Sequence, residues 1–510
     1  MPCQLSLVTV LDQPDRQAFE RTAASVLVQQ ADWEWLLADP GTSSWVGDRL
    51  AELAAADDRV RLVAAPVPAS LSGTADALLA AATGELVAVL GERDRLPADA
   101  LSTVAEVVAE DAPDIVYGDE ALLDPDGRTT STHRRPEWSP ERLRHQQYLG
   151  RMTFLRRSLV DDAGGAPRGL HGVGLHDLYL RVGERAARVV RVPTVLSEAA
   201  QEPVDAAATW DDRVHVVQEH LERAGVDASA ARGREPGLVQ VDRRPDDDTT
   251  ISVIIPTIGT RSLIWGEERT LVTETIRSVA ARSRRESVEF VVVYDDPTPE
   301  EGLDELRALP DVSLRLVPFH EPFNFSAKCN VGAISSDGDV LVFLNDDMQA
   351  TGDRVLERLV APLREPQVGA TGAKLLFEDG RIQHAGVTYG DRSLYHAYYR
   401  ESADASGVHG DLWVDREVSA VTGACLAVRR ADYWAVGGFS ETFPSNYNDV
   451  DLCFKLRRQG LRLLWLHDVV LHHFESVTRD GSVDESELAG IVGRWGDFKS
   501  VRERFTNALR

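Results

Sequence analysis

Short apolar runs and amphipathic stretches alternate along the chain, and they do so twice in the same order. SLVTV, EWLLAD and ELVAVL read as buried strands, separated by stretches of helical periodicity over residues 19–29 and 74–82. ISVIIPT, EFVVVYDD and DVLVFLNDD follow later, with helices predicted over residues 270–281 and 327–334. Strands alternating with helices predict βαβ units and mostly parallel sheets covered by helices on both faces. Ligands of such sheets bind beyond the carboxyl ends of the strands, so the polar residues that end these runs are the candidates for chemistry.

The repetition has a measurable offset. Glu34 and Glu289 open matching strands 255 positions apart, and Gly84 and Gly338 precede matching strands 254 positions apart. Arg156 pairs with Arg429 at an offset of 273, and Asp177 with Asp451 at 274. One constant shift, an insertion and a second constant shift are the trace of a duplicated domain with a longer loop in one copy. The expected fold class is α/β: two tandem Rossmann-like domains with mostly parallel sheets, joined by a helical linker. The expected limits are 1–200 for the first domain, 201–248 for the linker and 249–490 for the second domain. In the linker, Val214, Val217, His220 and Leu221 share one helical face, and the polar run DRRPDDDTT follows. The tail, 491–510, carries Trp495, Phe498, Val501, Phe505 and Leu509 at helical spacing. It is expected to pack on the second domain, with a membrane-surface helix as the alternative.

Composition narrows the classes. With 510 residues and 43% hydrophobic content the chain can bury two or three cores. Its 82 acidic against 55 basic residues give a net charge of −27, which disfavours non-specific nucleic-acid binding. The longest apolar stretch, residues 418–428, is short of the roughly 20 residues of a membrane-spanning helix. The N-terminal run is broken by Asp12, Pro14 and Asp15 and reads as a first strand rather than a signal peptide. Cys3, Cys329, Cys425 and Cys453 lack metal or redox spacing and are expected as free, mostly buried thiols. Together these predict a cytoplasmic protein.

Three acidic or imidazole groups stand at strand or helix ends. Asn345, Asp346 and Asp347 follow an apolar strand, where adjacent carboxylates are best tolerated beside a cation or hydrogen-bond donors. Such oxygen ligands suit Mg²⁺ or Mn²⁺ with positions left for phosphates, although a solvated turn is the plain alternative. Asp449 and Asp451 open a predicted helix, where they could equally cap it. His472 and His473 follow the strand LLWLHDVVL and could complete a metal site with Asp347. The first copy has Gly91, Glu92 and Arg93 in place of residues 345–347, Leu175 in place of Asp449 and Ala199 in place of His473. Their joint loss is the mark of one lost metal-dependent reaction, so the second domain is expected to be catalytic and the first degenerate.

The ordered segments ISVIIPT, EFVVVYDD, FNFSAKCNVGA, FLNDDM, VTGACLAVRR, VGGFSETF, NDVDLCFKLRRQG and HHFESVTRD resemble the family-2 glycosyltransferases of the GT-A fold. The similarity is greatest to tandem-domain bacterial proteins of O-antigen and cell-surface polysaccharide assembly, of rhamnosyltransferase-like type. YGDEA, RRPEWSPERL and FLRRSLVDDAGG extend it to the first half. The resemblance implies two GT-A-like domains, a nucleotide-diphosphate sugar donor, a glycan or lipid-linked acceptor and a divalent cation. It implies donor-binding roles for Thr257, Asp295, Asp296, Lys328, Asn330 and Asp346, with Tyr294 standing where an Asp is usual. Asp347 and His473 are the implied metal ligands, with His472 as the fallback. Asp449 is the implied catalytic base, and Gly423, Ala424 and Asp451 lie on the acceptor side. A sugar hydroxyl needs a base to take its proton, and the leaving diphosphate needs its charge stabilised, which matches one carboxylate and one cation in an inverting displacement. Contact with a membrane surface or an assembly complex would bring the chain to a lipid-linked acceptor. The competing expectations are a non-catalytic component that binds nucleotide-sugar or carbohydrate, and a nucleotidyltransferase, which would release pyrophosphate.

Overall fold

The structure, a computed structural model, describes residues 5–12, 14–39, 45–66, 70–124, 126–166, 168–200, 206–246, 248–283, 287–389, 394–474, 485–496 and 505. The chain divides into two compact units, Met1–Val241 and Asp242–Arg510.

In the first unit the strands are β1 (Leu5–Val10), β2 (Trp33–Ala38), β3 (Val60–Leu62), β4 (Leu86–Val89), β5 (Ile115–Leu123), β6 (Thr129–His133), β7 (Thr153–Arg156) and β8 (Val189–Ala200). They form one sheet in the order β3-β2-β1-β4-β7-β5-β6, with β8 also paired to β5. A two-stranded pair, β9 (Ala228–Arg232) and β10 (Val239–Arg243), follows. The second unit has β11 (Ile251–Thr257), the hairpin β12 (Arg261–Ile264) and β13 (Glu267–Thr270), β14 (Val288–Asp295), β15 (Ser313–Phe319), β16 (Val340–Leu344) and β17 (Met348–Ala350). It continues with β18 (Val368–Leu376), β19 (Ile382–His384), β20 (Val387–Tyr389), β21 (Leu394–His396), β22 (Arg416–Glu417), β23 (Cys425–Arg429) and β24 (Arg462–His473). Its main sheet runs β15-β14-β11-β16-β23-β18-β24-β17.

The two sheets share an order and a direction strand by strand. β4 pairs antiparallel with β7, and β5 antiparallel with β7 but parallel with β8. The same holds for β16 with β23, β18 with β23 and β18 with β24. Each sheet therefore has a central strand, β7 or β23, reversed between neighbours that run in one direction, and β6, β17, β19 and β22 are further antiparallel strands. Register repeats as well: Leu86 faces Arg156 and Val340 faces Arg429. So does a buried polar knot. Ser6 Oγ donates to Glu34 Oε1 (2.7 Å) and accepts from the Gly84 amide (2.8 Å). Ser252 Oγ donates to Glu289 Oε1 (2.6 Å) and accepts from the Gly338 amide (2.7 Å). A Cβ on Gly84 or Gly338 would lie 2.7 or 2.5 Å from the backbone nitrogen of that serine, so the close approach requires glycine at both places.

The central strands are buried along their whole length, and mostly apolar, because both faces are covered. Ile251, Val253 and Ile255 of β11 pack with Val272, Ile276 and Val279 of the helix Leu271–Arg282, while Ile254 faces a second core with Phe343 and Leu426.

Residues 210–241 depart from the expected linker. The helix Trp210–Arg223 buries Val216, Val217 and Leu221 against Leu175, Leu178 and Tyr179, in the core of the first unit. An apolar helical face gains by burial and does not stay exposed between domains. At the other end, the helix Glu485–Trp495 buries Ile491 in the second unit, and Trp495 meets Phe454 edge to face. Apart from Phe505, the rest of the expected C-terminal helix lies outside the described residues. Cys329, Cys425 and Cys453 are free and buried, and Cys3 is outside the described residues. Among the described residues no helix is long and apolar enough to cross a membrane.

Candidate active site

β11, β14, β16, β18 and β24 all end at one edge of the second sheet. The reversed strand β23 begins there, which brings the turn before it, Thr422 to Ala424, to the same edge. Direct contacts join the groups that gather there. Thr257 Oγ1, at the end of β11, donates to Asp346 Oδ2 (2.6 Å). Lys328 Nζ, from the helix Phe325–Ile334, donates to the Thr257 carbonyl (2.8 Å) and to Asp295 Oδ2 (2.9 Å). Lys328 is 1% exposed, and the paired carboxylate compensates its buried charge. Asp295 Oδ1 is buried and accepts no hydrogen bond among the described residues, leaving one acceptor at the strand end to be satisfied from outside.

Burial and the neighbouring Asp347 charge push the Asp346 carboxyl up to about 7, against the lowering effects of Thr257 and Lys328. Two adjacent buried carboxylates with one nearby ammonium are short of positive charge. In the β17–β24 pairing Met348 faces His473 and Gln349 faces His472, so the two imidazoles point to opposite sides. His473 Nε2 lies 3.2 Å from Asp347 Oδ1, which itself accepts no hydrogen bond among the described residues. His473 Nδ1 donates to Gln383 Oε1 (2.5 Å), which keeps the Nε2 lone pair turned toward Asp347 and the Asn345 amide (3.1 Å). A carboxylate oxygen and an imidazole lone pair set side by side in this way fit a divalent cation. His472 is used elsewhere, donating from Nδ1 to the Phe377 carbonyl (2.8 Å).

The same edge continues to Asp449. The Asn345 backbone N–H donates to the Ala424 carbonyl (3.0 Å), and the adjacent Gly423 backbone N–H donates to Asp449 Oδ2 (2.8 Å). Asp449 Oδ1 accepts from the Val450 amide (2.8 Å) in the first turn of the helix Asn448–Arg458. The carboxylate is half-buried and held by two backbone amides, so it is oriented without an ion pair among the described residues. Asp347, His473, Asn345, Ala424, Gly423 and Asp449 thus form one chain of contacts.

Three expected site residues stand apart. The Asn330 amide is consumed by Tyr433, Phe439 and Glu441, and ties its helix to a loop instead of reaching the strand ends. Asp451 is fully buried beneath the helix Glu485–Trp495, where Trp495 Nε1 donates to it (2.9 Å) and Arg494 (3.3 Å) and Lys455 (3.1 Å) neutralise it. Asp296 is exposed and pairs with His320 (2.7 Å). Conversely, Gln383 and His384 in RIQHAG, a polar pair on the short strand β19 after β18, join this edge without having been expected there. His384 Nε2 accepts the Thr422 and Gly386 amides (3.3 Å each), and Nδ1 lies 2.7 Å from His396 Nδ1. Burial, with the adjacent His396, holds the His384 imidazole well below its usual range and keeps it neutral.

Asp415, His467 and Asp468 are another grouping of possible ligands, with the Asp415 carboxylate 2.7 Å from His467 Nδ1. Asp468 is balanced by Arg358 (2.8 Å), and the grouping includes none of the residues above. In the first unit, Asp94 follows the strand that matches β16. It accepts from the Gly91 and Ala200 amides and from Arg151 (3.0 Å each), which closes that strand end with an internal ion pair.

Residues 249–491 match the family described as Glycosyltransferase like family 2. The chain is 32% identical, over 93% of its length, to the O-antigen biosynthesis protein RfbC of Myxococcus xanthus, and spans 38% of that protein. It is 26% identical over 35% of its length to an N-acetylglucosaminyl-diphospho-decaprenol L-rhamnosyltransferase of Mycobacterium tuberculosis, covering 63% of it. Among solved structures, GalNAc-T7 with UDP, GalNAc and Mn²⁺ is similar at 17% identity and a TM-score of 0.41, over 53% of this chain and 52% of that one.

Proposed function

The chain belongs, through residues 249–491, to the glycosyltransferases of family 2, and from that premise we propose that it moves a sugar from a nucleotide-diphosphate sugar to a hydroxyl of a surface glycan or lipid-linked saccharide, with inversion. The continuous contact chain from Asp347 and His473 to Asp449 carries this reading, since it sets a cation-type donor set and one oriented carboxylate at the same strand edge. The similarity to an O-antigen biosynthesis protein and to a rhamnosyltransferase supports a glycan acceptor and a deoxyhexose or hexose donor. The first unit, closed by the Asp94–Arg151 pair, takes no part in the chemistry.

Asp347 and His473 are the residues to hold Mg²⁺ or Mn²⁺, which supplies charge stabilisation for the departing diphosphate. Asp295 offers its unsatisfied oxygen to an N–H or O–H of the nucleotide, and Lys328 fixes that carboxylate. Asp449 accepts the proton of the acceptor hydroxyl as its oxygen bonds to the anomeric carbon. The bond from that carbon to the diphosphate oxygen breaks on the opposite face, and the proton passes on to solvent. One base and a single displacement suffice, so no second carboxylate is needed as a nucleophile. Access to a lipid-linked acceptor would come through peripheral docking or a partner protein.

Asp449→Asn tests the assignment. Turnover should fall by about 10² to 10⁴-fold, the usual worth of a positioned base, while nucleotide-sugar binding persists. Turnover equal to that of the unaltered protein would remove Asp449 from this role.

A further inference from the structure

Five residues link β1 to its following helix in the first unit, whereas thirteen separate β11 from the helix Leu271–Arg282 in the second. The added length is the β12–β13 hairpin, present only in the copy that carries the acidic groups. Ile264 anchors it against Leu271 and Phe474, next to His473. Its tip displays Leu263 at 68% and Trp265 at 47% exposure, with Trp265 held in the left-handed region at φ 46°. A bulky residue in that region is a local strain that surrounding contacts must sustain, and such strain concentrates at functional sites.

The contacts that sustain it lead around the candidate site. Trp265 meets His472 (5.5 Å) and Phe474 (5.2 Å) edge to face, and its amide donates to Glu378 (3.2 Å). His472 donates to the carbonyl of Phe377, whose ring meets that of Tyr399 (5.3 Å). Tyr399 is 48% exposed and sits between Tyr398 (φ 58°) and Arg400 (φ 66°), a second strained turn that presents an aromatic ring. Tyr399 stacks on His396, which meets His384, and His384 holds the turn that positions Asp449. Exposed aromatic rings therefore lie along a connected path from beside His473 to the base.

We propose that this aromatic rim, with Trp265 and Tyr399 as its two ring platforms, binds a neutral oligosaccharide acceptor by stacking on the apolar C–H faces of sugar units near the one that receives the transfer. The proposal rests on the glycosyltransferase reading above and adds the class of acceptor. Exposed rings with apolar faces and polar edges suit a ligand that is itself apolar on one face and hydroxylated at its edge. The neighbouring charges argue against an anionic lipid surface, which is drawn to a surplus of basic residues. Arg261 pairs with Glu305 (3.1 Å), Arg269 with Glu274 (3.0 Å) and Arg381 with Asp379 (2.5 Å), while Arg400 lies over the Phe377 and Tyr399 rings.

The test titrates the full chain, without nucleotide, with size-fractionated neutral fragments of a bacterial O-polysaccharide freed of lipid, and in parallel with phosphatidylglycerol vesicles. Fragments should bind, and Trp265→Ala and Tyr399→Ala should each weaken binding by about tenfold, the loss of one stacking contact. Trp265→Phe and Tyr399→Phe, which keep a ring, should retain most of it. The two positions lie on separate elements, so a folding defect in one variant leaves the other informative. Absence of fragment binding, binding by both alanine variants as tight as that of the unaltered chain, or Trp265-dependent binding to vesicles in place of fragments would overturn the proposal. Mn²⁺-dependent binding of UDP, GDP and dTDP, measured on the same proteins, separates the two levels. Its loss in every protein, including the unaltered one, defeats the glycosyltransferase reading, whereas its retention beside unchanged fragment binding defeats the aromatic rim alone.

Discussion

Lys328 concentrates the electrostatics of the site. It is an ammonium in a nearly closed position, balanced by Asp295 and one hop from the Asp346–Asp347 pair through Thr257. Removing one partner of a buried pair leaves the other charge uncompensated, typically at a cost of 3 to 5 kcal/mol. Lys328→Ala should accordingly lower the unfolding free energy of the second unit by about that amount and abolish nucleotide binding, both read from denaturant titrations with and without ligand. A change below about 1 kcal/mol would mean that Asp295 is neutralised by other means. Which residues the sequence exposes follows from the same local physics. Thr257, Asp295, Asp346 and Asp347 end apolar strands, so their placement depends on nearby chain alone. The surroundings of Asn330 and Asp451 are not legible locally, because their partners, Phe439 and Glu441 for one and Trp495 for the other, lie tens to more than a hundred residues away. Gln383 escaped notice because its importance comes from the imidazole it orients, 90 positions further along.

The helix Trp210–Arg223 shows how a segment with linker-like flanks becomes part of a core. Its Arg213 Nη1 donates to His176 Nδ1 (3.1 Å), and His176 Nε2 donates to the Leu143 carbonyl (2.6 Å), so one imidazole joins three helices. Burial first, and Arg213 next, lower the His176 imidazole from 6.5 to about 3. A group with a depressed folded value binds fewer protons in the folded than in the unfolded state. Its contribution is therefore complete above about pH 6.5 and is lost as pH falls toward 3. Urea midpoints of the first unit should drop over that interval, and His176→Gln, which cannot take up the proton, should flatten the dependence. Parallel curves for the two proteins would show that other groups govern the acid loss. Periodicity in the sequence identified this helix and its buried face, but not which core it joins, because that depends on complementary surface from a distant segment. The β12–β13 hairpin had no comparable signal: its strands are four residues each, too short for an alternating pattern to stand out.

Duplication accounts for the shared architecture, and divergence between the copies sets where the proposed chemistry would reside. Strand order, the reversed strand, register and the Ser–Glu–Gly knot are common to both units, whereas the acidic strand end, His473 and Asp449 belong to one. The repeat was readable from constant residue offsets, and the reversed strand was not, because strand direction leaves no local trace in composition. Two compact units with separate cores are expected to unfold in two calorimetric transitions. A nucleotide-diphosphate sugar with Mn²⁺ should raise only the transition of the second unit, since ligand stabilises the state that binds it. A shift of the first unit's transition as well would mean that its strand end, despite the Asp94–Arg151 pair, retains a site.

The most direct test is the metal dependence of nucleotide binding at Asp347. The unaltered chain and Asp347→Ala are titrated with UDP, GDP and dTDP in the presence of Mn²⁺ and then of excess chelator. The unaltered chain should bind one of these nucleotides at least tenfold more tightly, about 1.4 kcal/mol, with Mn²⁺ than with chelator, and Asp347→Ala should show no such difference. Equal metal dependence in the two proteins would contradict a cation held by Asp347 and His473.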